Sequence, residues 1–186
     1  FYRKTESYIW ELMAANNLIE TLYNYDITLE KLGARGVRSF LDYGAGIGSF
    51  VIAGVRRNMT AWHMDLPSPT FEFARWRYRR RGLNVEMIKA KGDHSDIPRA
   101  ETIVCTEVIE HVPDPLALLD AFQRAIPKGG YLVISESCRY TDEFITHLPG
   151  NRWLGGGRLD YELRKRKFVE ADARPRVHPR VFRRVL

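Results

Sequence analysis

Three alternate glycines follow an acid in Asp42-Tyr43-Gly44-Ala45-Gly46-Ile47-Gly48, directly after the apolar pair Phe40-Leu41. That order reads as a strand, a tight turn and a helix start. Glycine is required at such a turn because its dihedrals are unusual and because a bound molecule must approach the backbone with no Cβ in the way. The turn is therefore suited to a nucleotide-like ligand. A dinucleotide fingerprint, Gly-x-Gly-x-x-Gly, would place its third glycine at position 49, which is Ser49. Asp42 narrows the ligand further, since a carboxylate there repels a pyrophosphate and attracts an ammonium group.

Two further acids follow at informative spacing. About 20 residues after the turn, where a doubly wound fold carries its ribose-binding acid, the run Met59 to Met64 ends in Asp65. A carboxylate at the tip of a second strand can accept both ribose hydroxyls. The segment Gly92-Asp93-His94-Ser95-Asp96-Ile97-Pro98 is a third loop, and Glu107-Val108-Ile109-Glu110-His111-Val112-Pro113-Asp114-Pro115 is a fourth.

Taken in order, these segments resemble the class I methyltransferases that use S-adenosylmethionine. The first motif, Asp-x-Gly-x-Gly-x-Gly, is reproduced by Asp42 to Gly48, and 107–115 is similar to the signature of ubiquinone-biosynthesis-type O-methyltransferases. The resemblance implies that Asp93 faces the adenine amino group and that His94 lies against the ring. The cofactor-binding set is then Asp42, Gly44, Gly46, Gly48, Asp65, Leu66, Asp93, His94 and Thr106, with S-adenosylhomocysteine as the product. One departure is Pro127-Lys128-Gly129-Gly130, where the family usually writes Lys-Pro-Gly-Gly; it affects turn geometry rather than chemistry.

Methyl transfer from a sulfonium needs mainly a nucleophile held in line, plus a base for its proton. His111, with an ordinary pKa near neutrality and a place just beyond the fourth strand, is the expected base, and Glu107 is the second catalytic candidate. Glu107, Glu110 and His111 stand at i, i+3 and i+4 and could share one face of a helical turn. That pattern is similar to the metal-binding Glu-x-x-Glu-His of small-RNA 2′-O-methyltransferases and of some ubiquinone-type O-methyltransferases. His147 is the one evident further ligand. A divalent metal is the less favoured reading, and no residue is assigned to one.

The elements that must position these groups alternate strand and helix from Arg38 to Glu136, the βαβ pattern of a parallel sheet. Ser68-Pro69 reads as a cap opening a helix that runs through Arg81 to Gly82, with strands at 84–88, from Thr102 and at 131–136. The fold class is α/β, a three-layer sandwich whose Rossmann-like, mostly parallel sheet carries helices on both faces. Residues 1–186 read as a single domain: 1–37 an N-terminal helical cap, 38–136 the cofactor-binding core, 137–175 an acceptor lid and 176–186 a closing edge strand. Within the cap one amphipathic helix is expected from Thr5 to Tyr25, carrying Ile9, Leu12, Met13, Ile19, Leu22 and Tyr23 at helical spacing. No pattern long enough to name runs from Ser137 to Glu170, where Gly155-Gly156-Gly157 and Arg164-Lys165-Arg166-Lys167 fall.

At 186 residues the chain suffices for one core. No apolar run reaches membrane-spanning length and no secretory signal is visible, so a cytoplasmic location without a membrane partner is expected. Phe1 is not an initiator methionine, so the chain is read as trimmed. Cys105 and Cys138 are read as reduced thiols. The net charge is +6, with Arg75, Arg77, Arg79, Arg80 and Arg81 on one helix. These arginines are read first as a solvated face, and functionally as attraction for an anionic small acceptor or for nucleic acid. With no interleaved aromatic platform or zinc-ligand spacing, nucleic acid is the weaker partner. The resulting expectation is O-methylation of a small molecule. Two alternatives stay open: an RNA 2′-O-methyltransferase, and a non-catalytic cofactor-binding domain of a larger assembly. The oligomeric state is not legible.

Overall fold

The computed structural model describes residues 4–15, 17–140, 146–172 and 179–186. They divide into two compact units, 1–92 and 93–186.

The first unit begins with two helices where the sequence predicted one. Helix α1 spans Ser7–Ala15 and α2 spans Ile19–Ala34, because the Asn17 side chain donates to the Met13 carbonyl at 2.8 Å and Leu18 turns to extended backbone. The break alters the expected burial. No residue of α1 is buried, Ile19, Leu22 and Tyr23 lie exposed, and α2 instead buries Thr28, Leu29 and Leu32.

Strand β1 (Ser39–Tyr43) leads through the glycine turn into helix α3 (Ser49–Val55). Strand β2 (Thr60–Asp65), helix α4 (Pro69–Arg80) and strand β3 (Glu86–Lys89) complete the unit. All three strands are parallel, in the order β3-β2-β1, with Asp42 opposite His63 and Asp65 opposite Lys89. Four of the five residues of β1 are buried, as a strand covered on both faces requires. Gly54 lets α3 close on β1, since a Cβ there would stand 2.5 Å from the Phe40 ring. At the start of α4 the Ser68 hydroxyl accepts from the Phe71 amide at 3.1 Å with Pro69 in the first turn, so this cap is as read from the sequence.

The second unit holds strand β4 (Thr102–Cys105), a 3₁₀ turn at Ile109–His111, helix α5 (Pro115–Ala125) and strand β5 (Tyr131–Ile134). Beyond β5, where the sequence offered no regular pattern, lie 3₁₀ turns at Cys138–Tyr140 and Pro149–Leu154, helix α6 (Arg158–Lys165) and strand β6 (Phe168–Glu170). Strand β7 (Arg180–Arg184) ends the unit. The order is β4-β5-β7-β6, and β7 runs antiparallel to both neighbours. The closing strand is therefore interior, and β6 is the edge. The predicted edge position was argued from prolines, but Pro179 precedes the first paired residue, so no ladder hydrogen bond is lost to it. Residues 141–145 of the expected lid and 173–178 around its end lie outside the described residues. Arg166, at the end of α6, grips Asp120 of α5 at 2.6 Å and buried Glu162 at 2.9 Å. The seven strands make the mostly parallel α/β sheet expected, with helices packed on it.

Candidate functional site

In the first unit the glycine turn is tied inward at almost every residue. The Gly44 amide donates to the Met64 carbonyl at 2.8 Å, and the Gly46 amide donates to Asp65 Oδ2 at 2.6 Å. Asp65 Oδ1 in turn accepts from the Leu66 amide at 2.6 Å. Gly44, Gly46 and Gly48 all have positive φ, 73°, 55° and 74°, so the turn needs glycine at each alternate residue. Space is a separate constraint at two of them. A Cβ on Gly46 would meet Leu12 of α1 at 3.0 Å, and one on Gly48 would fall 1.9 Å from the Tyr78 hydroxyl.

Buried Asp42 and half-buried Asp65 converge beneath this turn. Burial, with the field of Asp65 added, pushes the Asp42 carboxyl up to about 8. Burial raises Asp65 to about 6, against the two amide donors that favour its charged form. A cationic ligand beside them would relieve both costs. The sign for stability follows: the folded pKa of Asp42 lies above its ordinary 3.8, so its contribution is most favourable in acid and declines as pH rises from that value through about 8. Asp42→Asn is thus expected to raise the urea midpoint relative to the parent more at pH 8 than at pH 5, while weakening binding of a cationic ligand. A stabilisation equal at both pH values would mean that the carboxyl titrates normally.

Sequence reasoning missed what holds the far side of the turn. Arg77, read as part of a solvated basic face, is half-buried and donates to the Ile47 carbonyl at 2.6 Å and to the Ser49 hydroxyl at 2.9 Å. Ser49, the residue that breaks the dinucleotide fingerprint, is therefore a fixing point for α4. Helical register is the one available signal, since Arg77 flanks buried Ala74 and Tyr78. The other arginines differ. Arg75 pairs with Glu72 and lies over Phe71, Arg79 and Arg80 are exposed, and the Arg80 guanidinium stands over Trp76, which stacks on Phe73. The face thus carries an aromatic pair that the sequence reading did not find.

In the second unit, Asp93 is exposed and accepts at Oδ1 from the Ser95 amide (3.0 Å) and hydroxyl (2.7 Å), while His94 is buried with φ 62°. Burial lowers the His94 pKa, opposed by Asp93, Asp114 and Asp96. Thr106 follows β4 and is partly exposed. Glu107 has φ 53°, donates its amide to the Ser135 hydroxyl at 3.1 Å and accepts from the Ser137 hydroxyl.

The helical face expected for Glu107, Glu110 and His111 is not what forms, because Glu107 precedes the 3₁₀ turn. The structure instead gathers Glu110, His111 and His147, whose donor atoms lie within 4.8 Å of one another. The His111 and His147 rings meet edge to face with centroids 4.9 Å apart. The segment carrying His147 is fixed to the turn by the Leu148 amide on the Glu110 carbonyl at 3.0 Å, by the Asn151 side chain on the Val112 carbonyl at 2.8 Å and on the Ile109 and Glu110 carbonyls at 3.2 Å, and by His111 Nδ1 on the Thr146 carbonyl at 2.9 Å. A carbonyl only accepts, so Nδ1 carries the proton and Nε2 the lone pair. Burial lowers the His111 pKa, with His147 acting in the same direction against Thr146 and Glu107, so the imidazole is neutral at neutral pH. Glu110 is fully buried. Its Oε1 accepts from the Ser137 amide at 3.2 Å, and Oε2 has no donor among the described residues. Burial, then the nearby Glu107 charge, raises its pKa well above the carboxylate range. One orphaned carboxylate oxygen with two imidazoles is a donor set that fits a divalent transition ion.

Residues 13–184 match the family described as Methyltransferase domain. Among relatives, the ubiquinone biosynthesis O-methyltransferase of Alkalilimnicola ehrlichii is 26% identical over 132 residues, 69% of this chain and 53% of that protein. The chain thus spans about half the length of the curated relatives it matches. Among solved structures, an S-adenosyl-L-methionine-dependent methyltransferase from Methanococcus maripaludis, named as putative, superposes with a TM-score of 0.69 at 14% identity, covering 94% of this chain and 91% of that one. The magnesium protoporphyrin IX methyltransferase of Synechocystis gives 0.65 at 15%, covering 88% and 78%. With its glycine turn and mostly parallel sheet, the chain belongs to the methyltransferase domain family and has the fold of the S-adenosylmethionine-dependent enzymes.

Proposed function

We propose that the chain transfers a methyl group from S-adenosylmethionine to a hydroxyl of a small molecule. The carrying observation is buried Asp42 beside half-buried Asp65 against a three-glycine turn, an arrangement whose electrostatic cost a sulfonium- and ammonium-bearing ligand offsets and a pyrophosphate increases. Leu66 and the turn glycines would complete the cradle, and Asp93, His94 and Thr106 of the second unit are assigned to the adenosine on the resemblance alone. His111 supplies the base: its tautomer leaves Nε2 unprotonated, and its lowered pKa keeps it so. The names of the relatives support oxygen as the methylated atom. Among the described residues no helix is long and apolar enough to cross a membrane.

The cluster of Glu110, His111 and His147 favours a second reading of the catalytic group, in which these three would hold a divalent ion. Bound there, such an ion would supply Lewis-acid lowering of a hydroxyl pKa.

Titration calorimetry tests the cofactor assignment. S-adenosylhomocysteine is expected to bind, and NAD is not expected to bind comparably; tighter binding of NAD would overturn the reading.

A further inference from the structure

The second unit contains a cavity of about 610 Å³ at the end of β5, with Ile134 and Leu159 as its apolar lining residues. A volume of that order accommodates a small organic ligand. Five charged side chains line it, and four are already engaged. Arg180 forks onto Asp160 with both guanidinium nitrogens, one contact at 3.0 Å, and stands 3.9 Å from Glu170. Glu136 accepts from the Cys138 amide at 2.7 Å. The fifth is Arg139, for which no carboxylate among the described residues lies within ion-pair distance.

The glycine run that the sequence reading could only place in a lid explains why Arg139 lies where it does. A Cβ on Gly155 would fall 2.6 Å from Arg139 Cγ, and one on Gly156 would fall 2.7 Å from its Nη2. The arginine is laid along two bare glycines, so its guanidinium is held at the cavity wall. Next in the chain, Gly157 caps α6 with no side-chain hydrogen bond, and Gly157, Leu159 and Asp160 at the start of that helix line the same cavity.

From this arrangement we infer that the cavity is a binding site for a small organic carboxylate, with Arg139 as the residue that takes the anion. A planar carboxylate matches the guanidinium fork, and Ile134 and Leu159 would contact its apolar body. A phosphate dianion is disfavoured relative to a carboxylate, because Glu136, Asp160 and Glu170 also line the cavity and Arg180 offsets only part of their charge, so each added negative charge on the ligand costs more. That the carboxylate belongs to the methyl acceptor rests on the function proposed above; the binding itself does not.

Benzoate, benzamide and phenyl phosphate are suitable probes, followed by ligand-observed NMR on the whole chain. Benzoate is expected to bind at least about tenfold more tightly than its neutral isostere benzamide, and Arg139→Gln should remove that difference. Because the Arg139 side chain is exposed, the variant should melt with the parent. Gly156→Ala, whose methyl displaces the guanidinium at the cost of a left-handed alanine, should weaken benzoate although the arginine itself is retained. Equal binding of benzoate and benzamide, or benzoate binding unchanged in Arg139→Gln, would overturn the site, and tighter binding of phenyl phosphate would overturn the carboxylate. S-adenosylhomocysteine binding is measured on the same samples. Its absence would remove the methyltransferase reading while leaving the benzoate result to stand by itself.

Discussion

Gly48→Ala is expected to be among the most damaging single substitutions in the chain. The new methyl would stand 1.9 Å from the Tyr78 hydroxyl and 2.6 Å from its ring carbon. Tyr78 is buried and cannot swing aside cheaply, since its hydroxyl meets His63 Nδ1 at 2.9 Å in the core. A left-handed residue with a Cβ costs about 1–2 kcal/mol and overpacking about 1–3 kcal/mol, so a loss of about 2–5 kcal/mol is expected in urea unfolding. Against a total of about 5–15 kcal/mol, that loss is a large share. Gly46→Ala offers the control. Its φ is also positive, but its methyl meets only the far end of Leu12 on an unburied helix, so it should cost less stability. Its main effect should be on S-adenosylhomocysteine affinity measured by calorimetry. Equal destabilisation by the two would show that backbone strain, and not Tyr78, sets the requirement for glycine at position 48.

His111→Ala should lower kcat by about 100-fold or more while leaving S-adenosylhomocysteine affinity nearly intact. The acid limb of the parent's rate profile should fall below the ordinary histidine value of 6.5, because a base of lowered pKa stays unprotonated into more acid solution. His147→Ala separates a base from a metal ligand. If His111 acts alone, this change should cost less than about tenfold and EDTA should do nothing. Loss matching His111→Ala, with EDTA stopping turnover and manganese or zinc restoring it, would replace the base by an ion held on Glu110, His111 and His147.

Much of the first unit was legible because its signals are local. An acid, three glycines and a capped helix after Ser68 each declare themselves within a few residues, and the apolar pair Phe40-Leu41 ahead of Asp42 marks the buried strand that leads into the turn. What escaped depends on tertiary placement. Arg77 differs from Arg75 only in helical register, and His147 reaches His111 from 36 residues away through contacts made to backbone carbonyls, whose positions no residue type announces. The division of α1 from α2 rests on one asparagine bonding back to Met13. Strand β6 has three residues, only Phe168 of them buried, which is too short for any period to show. The interior place of β7 follows from pairing order, which composition does not encode.

The hydrogen bond from the Gly46 amide to Asp65 has a kinetic consequence. The turn and the acid assigned to the ribose lock each other through the chain's own atoms, so an arriving nucleoside meets a preorganised surface and association is spared the entropy of ordering a loop. Weakening that lock, as in Asp65→Asn, would introduce a closing step before productive docking. Its signature would be a slowed association rate with saturating concentration dependence, in contrast to the dissociation-rate changes usual when a contact is merely lost.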